Sequence, residues 1–184
     1  MLVTGPTRSG KSEWAEALAK QSQKSVIYVA TAHLNAEDAD WQARIEQHRQ
    51  RRPPTWQLRE VPQALPEALL SATAADCLLV DSLGTWLANL LEQDDETWRR
   101  TVQSLLHSLR QTPATVILVA EETGWGVVPA YASGRLFRDR LGSLTRQVGT
   151  LAEAVYLVVA GYALDLRQVG SSVTPNPGYL PPIS

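Results

Sequence analysis

Residues 5–12 read Gly5-Pro6-Thr7-Arg8-Ser9-Gly10-Lys11-Ser12, a G-x-x-x-x-G-K-[ST] pattern with a strand-like run before it and an amphipathic helical pattern after it. That context constrains the fold, because the pattern works only at a turn from a strand into a helix. The glycines let successive backbone N–H groups converge on one concavity, to which the helix adds its positive end. Lys11 suits the outer phosphates of a nucleoside triphosphate, and the Ser12 hydroxyl suits Mg²⁺.

Short β-branched or apolar runs recur along the chain with helical patterns between them, the signature of a mostly parallel sheet with crossover helices. The pattern predicts strands over 2–4, 25–30, 56–60, 77–81, 115–121 and 154–160. It predicts helices over 11–21, 37–51, 63–71, 85–91, 96–110 and 134–151. At 184 residues the chain fits one α/β domain, expected over 1–170. A Pro-rich tail over 171–184 has the composition of an extended or disordered segment.

Nineteen acidic and 17 basic residues leave a formal charge of −2, which gives no bulk attraction to nucleic acid or an anionic membrane. Phosphate binding must therefore be local. The longest apolar run, 154–160, is seven residues, far below the ~20 of a membrane span. Met1 enters a strand pattern at once, so no secretory leader is expected. Cys77 is the only cysteine and lies in an apolar run, as a small core residue would in a reducing compartment; a cytoplasmic protein is expected.

The run Cys77-Leu78-Leu79-Val80-Asp81 is an apolar strand ending on a carboxylate, which makes Asp81 the candidate acid on the Mg²⁺ side of the phosphates. Asp81 also suits the cap of the helix that follows, and Glu121 and Glu122 at the end of the next strong strand compete for the metal role. In the helix expected over 37–51, Arg44 and His48 are four apart and share a face, with Arg51 and Arg52 one turn on. Guanidinium groups suit a polyphosphate, and nearby cations disfavour the imidazolium, leaving His48 in the neutral form that can attack phosphorus. A surface histidine is the ordinary alternative; His33 and His107 lack such a setting. The loop from Gly124 to Pro129 follows a strand end and suits the acceptor side of a reaction, or a plain turn.

Taken in order, these segments resemble the bifunctional adenosylcobinamide kinase/adenosylcobinamide-phosphate guanylyltransferase family. The likeness rests on T-G-P-T-R-S-G-K-S over 4–12, Y-V-A-T-A over 28–32, R-I-x-x-H-x-x-x-R-P over 44–53 and W-x-x-x-E over 56–60. It continues with L-L-V-D-S-L over 78–83, T-W-L-x-N-L-L over 85–91, E-x-G-W-G-V-V-P over 122–129 and F-R-D-x-L-G over 137–142. The chain departs from the family's common pattern at Glu121-Glu122 and at Thr145-Arg146.

The resemblance implies a P-loop NTPase fold with a RecA-like, mostly parallel sheet flanked by helices, and a homotrimer. It implies phosphorylation of adenosylcobinamide by ATP or GTP, then transfer of GMP from GTP through a covalent guanylyl-His48. Nucleotide contacts are implied at Gly5 to Ser12, at Ala30, Thr31 and Ala32, at Arg49, Gln50, Arg51 and Arg52, and at Glu60 and Asp81, with Ser12 and Asp81 on the metal. A RecA-like ATPase or nucleotide switch, and a simple small-molecule kinase, keep the same phosphate loop and give His48 no role.

Overall fold

The structure, a computed structural model, describes residues 1–32 and 52–173. The helix expected over 37–51, with Arg44, His48, Arg49, Gln50 and Arg51, lies outside the described residues, as does the tail from 174 onward.

Among the described residues, seven strands form one sheet in the order β3-β2-β4-β5-β1-β6-β7. They are β1 (Leu2–Gly5), β2 (Ser25–Ala30), β3 (Gln57–Glu60), β4 (Asp76–Asp81), β5 (Thr115–Glu121), β6 (Val155–Val159) and β7 (Tyr162–Asp165). All neighbours pair in parallel except β6 and β7. The central strands are apolar runs without polar alternation, because both faces of the sheet are covered.

One face carries Val3, Val26, Tyr28, Cys77, Leu79, Ile117 and Val119, packed against Ala15 and Ala19 of helix α1 (Lys11–Gln21). The other carries Leu2, Ile27, Val29, Leu78, Val80, Leu118 and Ala120. Against it lie α2 (Leu65–Leu70), α3 (Leu83–Ala88), α4 (Asp95–Gln111) and α5 (Ala132–Leu151). Alternate residues of each strand thus feed opposite cores, as the two-residue period requires.

The sheet expected from the sequence, mostly parallel and flanked by helices, is present, and helix ends move by a few residues. Helix α3 begins at Leu83 because Ser82 caps it: the Ser82 hydroxyl accepts from the Thr85 N–H, and Thr85 returns a bond to the Ser82 N–H. Asp81 therefore ends its strand without capping the helix. Strand β7 was not predicted. Its hairpin turns on Ala160 and Gly161, both at positive φ (51° and 80°), as in a mirror-image two-residue turn. Ala-Gly is a weaker sequence signal than Asn-Gly, and β7 is too short and exposed to carry an apolar run. A short helix α6 (Leu166–Val169) follows. Among the described residues, no helix is long and apolar enough to cross a membrane.

Candidate active site

The parallel register brings the carboxyl ends of five strands into one row. Glu60 pairs with Ala30, Ala30 with Asp81, and Gly5 with Glu121. Asp81 in turn pairs with Val119, two residues before Glu121 on the same face. The carboxyl edge of a parallel sheet is where α/β proteins bind ligands, and it holds the phosphate loop, Asp81 and Glu121 together.

The loop owes its shape to three positions. Gly10 caps α1 at φ 94°, and Arg8 sits at φ 59°, so the chain turns through two left-handed residues before the helix begins. At Gly5 a Cβ would strike the Val158 carbonyl oxygen and lie 2.8 Å from the Ser9 hydroxyl, so only glycine fits. Ser9 is buried, and its hydroxyl has no hydrogen-bond partner among the described residues. A buried hydroxyl of this kind in a phosphate-loop turn is what a bound anion would satisfy. Lys11 folds back and donates to the Pro6 carbonyl at 3.3 Å, close enough to swing onto a phosphate.

Asp81 is held by Tyr28, whose phenol donates to Oδ2 at 2.8 Å. Burial and then the charge of Asp81 push the Tyr28 phenol far above its usual range, so it remains a donor at neutral pH. The Arg52 guanidinium lies over the Tyr28 ring, 4.0 Å from its centroid. Of the arginines singled out near His48, Arg52 is therefore the one the described structure brings to this edge.

Glu121 is partly buried, and its desolvation pushes its carboxyl up, opposed by hydrogen bonding from Ser82 and by the charge of Lys11. Its Oε1 accepts from the Ser82 hydroxyl at 2.5 Å, and its Oε2 from the Gly84 N–H at 3.0 Å. Glu121 is thus engaged with the start of α3. Asp81 is engaged elsewhere, accepting from Tyr28 at Oδ2. Thr31, fully buried, completes the frame. Its hydroxyl donates to the Ser82 carbonyl at 2.7 Å and accepts from the Ser82 N–H at 2.9 Å. Asn89 donates to the Thr31 and Pro62 carbonyls at 2.7 and 2.8 Å.

Hard oxygens from Ser12 and Asp81 fit a Mg²⁺ ion that keeps its remaining positions for water and phosphate. Among the described residues there is no group of three His, Cys, Asp or Glu that could form a closed metal cage. Glu60 stands apart: four interstrand steps of ~4.8 Å place it about 19 Å from Gly5 along the sheet. It can meet a nucleotide only at the end away from the phosphate loop. Thr31 spends its side chain on Ser82, so only its backbone and its neighbours Ala30 and Ala32 face that role.

Sequence reasoning missed Tyr28, Ser82 and Thr85 as site residues. S-x-x-T after a strand-end aspartate was a legible cap signal. Tyr28 carried none, because an aromatic residue in a strand reads as core.

Residues 1–166 match the family described as cobinamide kinase / cobinamide phosphate guanyltransferase. The chain is 43% identical over 168 residues to the bifunctional adenosylcobalamin biosynthesis protein CobP of Pseudomonas aeruginosa, covering 90% of this chain and 96% of that one. It is 36% identical over 182 residues to the bifunctional adenosylcobalamin biosynthesis protein CobU of Escherichia coli, covering 91% and 99%. Solved structures that it resembles include the RadB recombinase, at 15% identity and a TM-score of 0.43, covering 85% of this chain and 73% of that one. Another is a KaiC-like protein of Pyrococcus horikoshii, at 17% identity and a TM-score of 0.42, covering 85% and 70%. With residues 1–166 matched and relatives aligned along nearly their whole lengths, the chain belongs to the cobinamide kinase / cobinamide phosphate guanyltransferase family of bifunctional enzymes.

Proposed function

We propose that this chain phosphorylates the aminopropanol hydroxyl of adenosylcobinamide with ATP or GTP, and then transfers GMP from GTP onto that phosphate. Pyrophosphate leaves, and adenosylcobinamide-GDP is the product. The observation that carries the reading is the single row of strand ends holding the Gly5–Ser12 loop, Asp81 and Glu121, in a chain of this family.

In the first reaction, loop N–H groups and Lys11 hold the β- and γ-phosphates, and the corrinoid hydroxyl displaces the nucleoside diphosphate at the γ-phosphorus, losing its proton. Ser12 and Asp81 are the residues to hold Mg²⁺, which neutralises charge developing on the phosphate oxygens when bound. In the second, the neutral His48 ring attacks the α-phosphorus of GTP, forming a P–N bond as the bond to pyrophosphate breaks. An oxygen of adenosylcobinamide phosphate then attacks the same phosphorus, forming the P–O–P link and releasing the imidazole. Arg49, Arg51 and Arg52 suit the charge of the departing pyrophosphate. We place the nucleotide also against Ala30 to Ala32, Gln50 and Glu60, and we take the working form to be a cytoplasmic homotrimer with residues 1–170 as one domain.

The products test this reading. Incubation with adenosylcobinamide and labelled nucleotide should move the γ-phosphate of the donor to the corrinoid, then release pyrophosphate from GTP. Phosphate release alone would instead mark a nucleotide switch, and γ-transfer without pyrophosphate a simple kinase.

A further inference from the structure

We infer that Tyr28 is a positioning residue for both half-reactions: its hydroxyl orients Asp81, and its ring face holds Arg52. The inference rests on the roles given to Asp81 and Arg52 above. The register shows why Tyr28 can do this. It pairs with Leu79, so Asp81 lies two residues further along the neighbouring strand on the same face, within reach of a phenol and beyond reach of a shorter side chain.

The phenol–Oδ2 bond fixes the orientation of the Asp81 carboxylate. The guanidinium of Arg52 rides on the face of the same ring, 4.0 Å from its centroid. One buried side chain, 5% exposed, therefore touches a phosphate-side acid and an arginine that adjoins the histidine-bearing segment. A core residue chosen only for volume would need the ring and not the hydroxyl. That difference separates the two roles.

The test compares Tyr28→Phe and Tyr28→Leu with wild type in the full-length chain, alongside Asp81→Asn and Arg52→Ala. Three quantities are read: the Mg²⁺ dependence of binding of a fluorescent GTP analogue, the kinase rate and the guanylyl-transfer rate. Tyr28→Phe keeps the ring and loses the bond, so it should raise the Mg²⁺ concentration for half-maximal binding and slow both reactions by about tenfold, the effect of one hydrogen bond to a charged group. In an Asp81→Asn background the same change should have little further effect, because the hydroxyl acts through Asp81. Tyr28→Leu should match Tyr28→Phe in the kinase reaction and fall about tenfold further in guanylyl transfer, where Arg52 is needed.

If Asp81→Asn shifts the Mg²⁺ dependence and Tyr28→Phe does not, Tyr28 does not position Asp81. If Tyr28→Leu slows both reactions equally beyond Tyr28→Phe, the ring does not serve Arg52. Wild-type-like behaviour of Asp81→Asn or Arg52→Ala would instead overturn the roles on which the inference rests.

Discussion

Glu121 and Gly84 exclude a side chain between them. The Gly84 N–H donates to Oε2 of Glu121 at 3.0 Å, and a Cβ at Gly84 would strike that same carboxylate. Gly84→Ala should therefore push Glu121 away from α3 and cost about 1–3 kcal/mol of stability, the usual penalty for overpacking. Urea unfolding of the variant measures this. Combined with Glu121→Ala, the cost should be less than the sum of the two single changes, because the collision is gone.

Glu121 also gives the stability a direction with pH. Burial raises its carboxyl in the folded chain above the ordinary glutamate range. A group so raised lends stability that is full below its unfolded pKa and lost as pH rises through the folded one. Glu121→Gln removes the titration. The stability of wild type relative to Glu121→Gln should thus fall as pH rises above the ordinary glutamate range, measured by urea unfolding across a pH series. A difference that stays level or grows with pH would contradict the placement of this carboxylate.

Lys11 serves both reactions if one cradle holds the triphosphate for each. Lys11→Ala should slow phosphorylation and guanylyl transfer alike, by on the order of 10²-fold or more. Rates of each half-reaction within about threefold of wild type would contradict a shared cradle.

The phosphate loop and the sheet were legible because both rest on local patterns: a spaced glycine motif, and apolar runs of strand length. Strand β7 was not, since a four-residue exposed strand has no periodicity to read. Asp81 stood out as a carboxylate ending an apolar run, yet sequence could not choose between strand end and helix cap. The choice needed Ser82, whose hydroxyl takes the cap. Tyr28 was invisible for a further reason. Its partners, Asp81 and Arg52, lie 53 and 24 residues further along the chain, so only the folded structure brings them together. Glu121 was legible as an acid at a strand end; its engagement with Ser82 and Gly84 was not.

Covalent labelling at His48 tests the central claim most directly. Enzyme incubated with Mg²⁺ and α-labelled GTP should acquire an acid-labile, base-stable label, whereas γ-labelled GTP should leave none. His48→Ala should abolish that label and guanylyl transfer while keeping phosphorylation of adenosylcobinamide within about tenfold of wild type, because the phosphate loop is untouched. A label that persists in His48→Ala, or active wild type that never acquires one, would contradict the guanylyl-histidine.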